Sequence, residues 1–226
     1  MPATSEKPET VPPEFIFIGE HSALDFANTF VMTNGQETDY LRTWADMVDW
    51  FSLTGLSVDP GLKLSAARAA EALESVVELR QAWKAELARL ISGDKVREEF
   101  IEQLNRLLTD TFHEKLDLEG KNGFSLVRSI SQLHGKKLAL AILGRQMAVF
   151  LAESSYLHRC ANTTSCGLYF YDTTKNHRRL WCSLATCGNR HKVAQFRKRQ
   201  AKSRVGWSTG ADVKPELISG APVVIF

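Results

Sequence analysis

The chain has 226 residues, 44% of them apolar and 9% aromatic, enough for one sizeable core; this excludes a disordered or low-complexity protein. Its net charge of +2 averages two opposed regions. Residues 158–204 carry eleven Lys/Arg and one acid, Asp172, for +10, against −8 over the rest, which points to a polyanion contact made by one part only.

In chain order, residues 1–13 read as a flexible leader without the basic start and apolar core of a signal peptide. Phe15 to Ile18 has the composition of a short strand. Leu24 to Phe30 begins a helix, and Thr33 to Asp39 reads as a polar loop. A second helix covers Trp44 to Leu53 and stops at Gly55. Ser65 caps a long helix to Ile91, on which Ala69, Leu73, Val76, Val77, Arg80, Trp83, Leu87 and Leu90 keep a 3.6-residue stripe. Val96 to Thr111 gives another, with Phe100, Ile101, Leu104, Leu107 and Leu108 inside. Phe112 to Ile130 reads as a β-hairpin, and Gly135 to Ser155 as an apolar helix closing the core. The fold class is mostly α with minor β: a helical domain over 14–157, a small four-Cys finger over 158–204 and a tail over 205–226.

The longest apolar stretch, Leu138 to Ala152, is broken by Arg145 and Gln146 and is too short to span a bilayer. A cytoplasmic protein without a membrane segment is the expectation. In a reducing compartment clustered cysteines are metal ligands more often than disulfides. All four Cys lie in the basic region, spaced Cys160-x5-Cys166-x15-Cys182-x4-Cys187. Two close pairs separated by a hairpin-sized insert are what one tetrahedral four-thiolate Zn²⁺ site needs. Between the pairs, Gly167 to Tyr171 reads as a strand and Leu180-Trp181 as the start of its return. So small a module buries too little surface to fold without its metal. Four free thiols, or a thiol redox sensor, are the alternatives.

The segment Cys187-Gly188-Asn189-Arg190, following Trp181-Cys182-Ser183 and a Phe170-x-Asp172 stretch, resembles the CGNR zinc finger. Leu180 stands where that family often has another basic residue, and the first Cys spacing is about one residue long. Upstream, LDFANT at Leu24 to Thr29 resembles the start of the ABATE domain. Together the resemblance covers most of the chain and implies a bacterial stress-related transcription regulator, with the finger binding DNA and the helical domain acting as sensor.

A helix starting near Gly188 would align Arg190, Ala194, Arg197, Ala201 and Arg204 on one face. Val193 and Phe196 would pack on the zinc hairpin. Arginines reading guanine edges, with alanines permitting close approach, suit duplex DNA. The candidate contacts are Arg190, Lys192, Arg197, Lys198 and Arg199, with Lys175, Arg178 and Arg179 at the hairpin tip on phosphates. Arg190 could instead offset the negative charge of the four-thiolate site. His177 and His191 read as surface or phosphate-contacting residues. Tyr169, Tyr171 and Trp181, if exposed, would stack single-stranded bases, so an RNA- or protein-interaction module is an alternative function. His21, Asp25, Asn28 and Trp44 are candidates for a small-molecule pocket in the helical domain. A homodimer reading paired half-sites is a further expectation. No nucleophile elbow, HExxH, Walker or Rossmann pattern occurs, so an enzyme is not expected.

Overall fold

The computed structural model describes residues 14–33, 35–56, 62–109, 112–119, 123–130, 133–153 and 156–207. The leader 1–13 and most of the tail 205–226 lie outside them. The described chain is mostly helical, with three two-stranded antiparallel pairs. It forms two compact units that divide between Ser183 and Leu184.

In the first unit, α1 (Ser22–Ala27) is buried at Ala23, Leu24, Phe26 and Ala27, so apolar residues surround nearly the whole helix. His21 caps it, Nδ1 accepting from the Ala23 N–H at 3.1 Å. β1 (Phe30–Thr33) and β2 (Gln36–Asp39) then pair, Phe30 opposite Asp39. This hairpin replaces the expected polar loop. Its cue is the Asn34-Gly35 dipeptide, the strongest short-range turn signal, and Gly35 has φ 81°. Phe15 to Ile18, by contrast, forms no strand, and Phe15 lies 6.3 Å from the Tyr40 ring.

α2 (Trp44–Leu53) opens on a capping box: Thr43 Oγ1 accepts from the Asp46 N–H and Asp46 Oδ2 accepts from the Thr43 N–H. α3 (Ala66–Ile91) runs 26 residues and buries Ala72, Val76, Leu79, Arg80, Trp83, Glu86 and Leu87. α4 (Glu98–Thr109) buries Phe100 and Leu104, while Ile101, expected inside, is exposed. The hairpin β3 (Phe112–Glu119)–β4 (Gly123–Ile130) is where the sequence reading puts it. α5 (Gly135–Glu153) closes the core. A Cβ on its Gly144 would meet Leu107 Cβ at 3.0 Å, so a small residue there lets α4 and α5 approach closely.

Trp83 is the centre of this core. Its ring stacks on Phe100 at 5.9 Å and meets Phe150 edge-on at 5.8 Å, and its Nε1 donates to the Ala23 carbonyl at 2.8 Å. Arg80, on the apolar stripe, is fully buried. It donates to both carboxylate oxygens of Asp39 at 2.8 and 2.6 Å and to Thr29 Oγ1 at 2.9 Å, which ties α3 to the β1–β2 hairpin. A buried charge is tolerated only with such pairing. Glu86 is buried likewise and accepts from the Arg97 backbone and side chain.

A metal centre and a basic helix

β5 (Leu157–Arg159) pairs antiparallel with β6 (Tyr169–Tyr171), Leu157 opposite Tyr171. The hairpin partner of Tyr169–Tyr171 is thus the strand before Cys160, and not a return strand at Leu180-Trp181. The return segment meets the first cysteine loop through a bond from the Ala161 N–H to the Leu180 carbonyl at 2.9 Å. Cys160 leaves β5 with its N–H bonded to the Leu168 carbonyl at 2.8 Å. Ser165 folds back onto Asn162, with Oγ to Oδ1 at 2.8 Å, and rounds the loop to Cys166. Gly167 follows at φ 79°, beneath the Arg159 guanidinium that bonds its carbonyl. Cys187 sits in a π-helical turn, Leu184–Gly188.

These turns bring all four cysteine sulfurs within 4.8 Å of one another, with all four residues buried. Cys166 Sγ and Cys182 Sγ are 3.6 Å apart. A tetrahedron with Zn–S bonds of about 2.3 Å has an S···S edge of about 3.8 Å, so the donor set fits zinc in chemistry and spacing. Hydrogen bonds from the Cys166 and Cys182 thiols drive the Cys160 thiol well below its ordinary pKa. The same bonds to Cys160 push the Cys166 and Cys182 thiols up. Such a set is electron-rich, and a divalent cation displaces its protons.

Asp172, fully buried, organises the loop after β6. It accepts from the Thr174 N–H and hydroxyl at 3.0 and 2.7 Å and from the Arg179 N–H at 2.8 Å, and His158 Nε2 lies 3.8 Å away. Burial alone would raise its pKa; the Thr174 and Arg179 bonds and the nearby His158 outweigh that and hold it at about 2. His177, at φ 46°, stacks flat on Tyr156 with ring centres 3.4 Å apart, and its Nδ1 lies 2.8 Å from the Asp172 carbonyl. These contacts shape the loop around a residue that the sequence reads as a surface or phosphate-contacting one.

Of the candidate contacts at the hairpin tip, Lys175 and Arg178 are exposed. Arg179 turns inward: its guanidinium bonds the Trp181 and Cys182 carbonyls and lies over the Phe170 ring at 4.7 Å. Tyr169 is buried and does not offer a face to a base. The π turn runs into α6 (Asn189–Trp207), on which Arg190, His191, Lys192, Arg197, Lys198 and Arg199 are all exposed. Val193 and Phe196 are 48% and 58% exposed, so they do not pack on the hairpin as expected. Arg190, Val193, Ala194 and Arg197 line an open groove of about 510 Å³ with Thr186 and Asn189.

The four residues proposed for a small-molecule pocket are each engaged by the chain itself. His21 caps α1, and Asp25 Oδ1 accepts from the Gly19 N–H at 2.7 Å. Burial raises the Asp25 carboxyl to about 6 despite that bond. Trp44 Nε1 donates to the Leu62 carbonyl at 2.8 Å. Asn28 bonds both backbone groups of Tyr169, a contact no sequence pattern signals because the partner lies 141 residues away.

Helical body and four-sulfur cluster together define a zinc-finger protein. Residues 156–200 match the CGNR zinc finger, and the finger's cofactor is one zinc ion, for which Cys160, Cys166, Cys182 and Cys187 lie within ligating distance of one another. Residues 20–154, more than half of the chain, match the family described as ABATE, putative stress-induced transcription regulator, and the protein belongs to that family. Neither is an enzyme family. No curated protein matches the chain. Among the described residues no helix is long and apolar enough to cross a membrane.

Proposed function

We propose that this zinc-dependent regulator binds duplex DNA through α6 and the hairpin tip, with residues 14–157 sensing a signal and residues 158–204 acting as the finger. One observation carries the reading. Every residue of α6 from Asn189 to Lys202 is exposed, and the helix holds no acid. Wet on all sides, it gains nothing from packing, and neighbours such as Lys198 and Lys202 repel one turn apart. A polyanion relieves that repulsion. A helix about 10–12 Å across also enters a major groove about 12 Å wide.

Arg190, Ala194 and Arg197 recur at helical spacing along the groove, the geometry for reading base edges. Lys192, Lys198 and Arg199 flank that stripe and, with Lys175 and Arg178, suit phosphates. The test is duplex binding across a salt series. Wild-type affinity should fall steeply with salt. Arg197→Ala should weaken binding and relax sequence preference, and Lys198→Ala should weaken it uniformly and lower the salt slope by about 1. Equal affinities for wild type and the Arg197→Ala/Lys198→Ala double variant, flat in salt, would refute the proposal. A homodimer on paired half-sites belongs to the same reading, and its signature is a palindrome among selected duplexes.

A further inference from the structure

The LDFANT run ends in Asn28, which is buried where α1 meets the zinc hairpin. Its Nδ2 donates to the Tyr169 carbonyl at 2.8 Å, and its Oδ1 accepts from the Tyr169 N–H at 2.9 Å. The side-chain amide thereby replaces one residue of a neighbouring strand. In an antiparallel pair, successive residues turn their backbone groups to opposite edges. Leu168 turns its carbonyl to the N–H of Cys160, on the metal side. Tyr169 and Tyr171 turn theirs to the helical body, Tyr171 donating to the Gly19 carbonyl at 3.0 Å. One short strand is thus fixed along one edge by the cysteine loop and along the other by the body.

The body end of this clamp is itself rigid. One turn back, the Ala23 carbonyl is held by Trp83, and the next residue, Thr29, accepts from the buried Arg80. We infer that Asn28 is a positioning residue that makes zinc binding and folding of the helical body one linked equilibrium. Without its amide, the Tyr169 N–H and carbonyl are left unpaired in a buried place, and the strand carrying the first cysteine loop loses its backing. By linkage, whatever Asn28 adds to zinc affinity zinc returns as stability of the body. A signal taken by the body therefore has a direct path to the finger, independent of how the finger meets DNA.

The experiment compares full-length wild type, Asn28→Ala and Asn28→Asp in zinc competition against a chromophoric chelator, with helical melting followed with and without zinc. Loss of buried hydrogen bonds of this kind weakens an equilibrium roughly tenfold. Asn28→Ala should therefore release zinc about tenfold more readily, and the zinc-induced rise in melting temperature should shrink. Asn28→Asp keeps the acceptor for the Tyr169 N–H but buries a carboxylate against the Tyr169 carbonyl with no donor between them, so it should release zinc at least as readily as Asn28→Ala. Variants that fold, hold zinc as wild type does and show the same zinc-induced rise would overturn the inference. Should neither variant fold, hydrogen exchange on the wild type decides. Chelating zinc should speed exchange at the Leu24 and Asn28 amides together with Tyr169. Unchanged α1 amides would overturn the inference equally.

Discussion

α3 and α6 are both long helices, and they are stabilised in opposite ways. α3 turns a stripe of Val76, Leu79, Trp83 and Leu87 into the core and pairs its one stripe cation, Arg80, with Asp39. α6 buries none of its described side chains from Asn189 to Lys202 and carries cations around its circumference. Burial of a large side chain contributes roughly 1.5–3 kcal/mol, so α3 is fixed by its own protein. α6 has only its junction with the zinc-bearing turn and whatever anion it meets. The body is built to be a structure; the helix is built to be a surface.

The metal gives the largest way to break this contrast. Elemental analysis should find about one zinc per chain in wild type; Cys182→Ser should lose it, and the finger's fold with it, since structural zinc supplies on the order of 10 kcal/mol to such modules. Full zinc retention by the variant would contradict the four-sulfur site. Next comes Trp83→Ala. It deletes the ring between Phe100 and Phe150 and should lower stability in urea by about 3–5 kcal/mol; a loss below about 1 kcal/mol would mean that Trp83 is not central to the core.

Asp172→Asn should have a smaller, pH-dependent effect. The folded carboxyl titrates near 2, below its unfolded value of about 3.9, so its charge stabilises the fold above the unfolded value. The stability difference between wild type and variant should hold from pH 7 to about 5 and shrink as pH falls toward 2. Acid also releases zinc, but it does so in both proteins, so the difference isolates Asp172. A gap that is constant down to pH 2 would show that the charge is not what Asp172 contributes. Smallest is the stability effect of Arg197→Ala with Lys198→Ala, expected within about 0.5 kcal/mol because both side chains are exposed. A larger loss would move these residues from surface to framework.

Much of this was legible in the chain. Four cysteines in two close pairs, ending in Cys187-Gly188-Asn189-Arg190, name the metal and its ligands, because ligand chemistry depends on residue type and short spacing. The apolar repeat of α3 follows from helix period alone. The β1–β2 hairpin is hidden by the polarity of Thr33 to Asp39, which outweighs the Asn34-Gly35 cue. Arg179 reads as a phosphate contact because charge is visible in a sequence and direction is not; its guanidinium folds onto the Trp181 and Cys182 carbonyls. Val193 and Phe196 read as packing residues on their hydrophobicity, yet both remain exposed.

The opposed charges of body and finger, the zinc ligands and the helical periodicity were determined by the sequence itself, since each rests on local composition or spacing. Only the tertiary structure decided that Arg80 is a buried partner of Asp39, that Asp172 shapes a loop, and that Asn28 clamps the strand beside the zinc site. Arg80 and Asn28 meet their partners only when segments 41 and 141 residues apart come together, and Asp172 shapes its loop because the fold buries its carboxylate beside the Thr174 and Arg179 N–H groups.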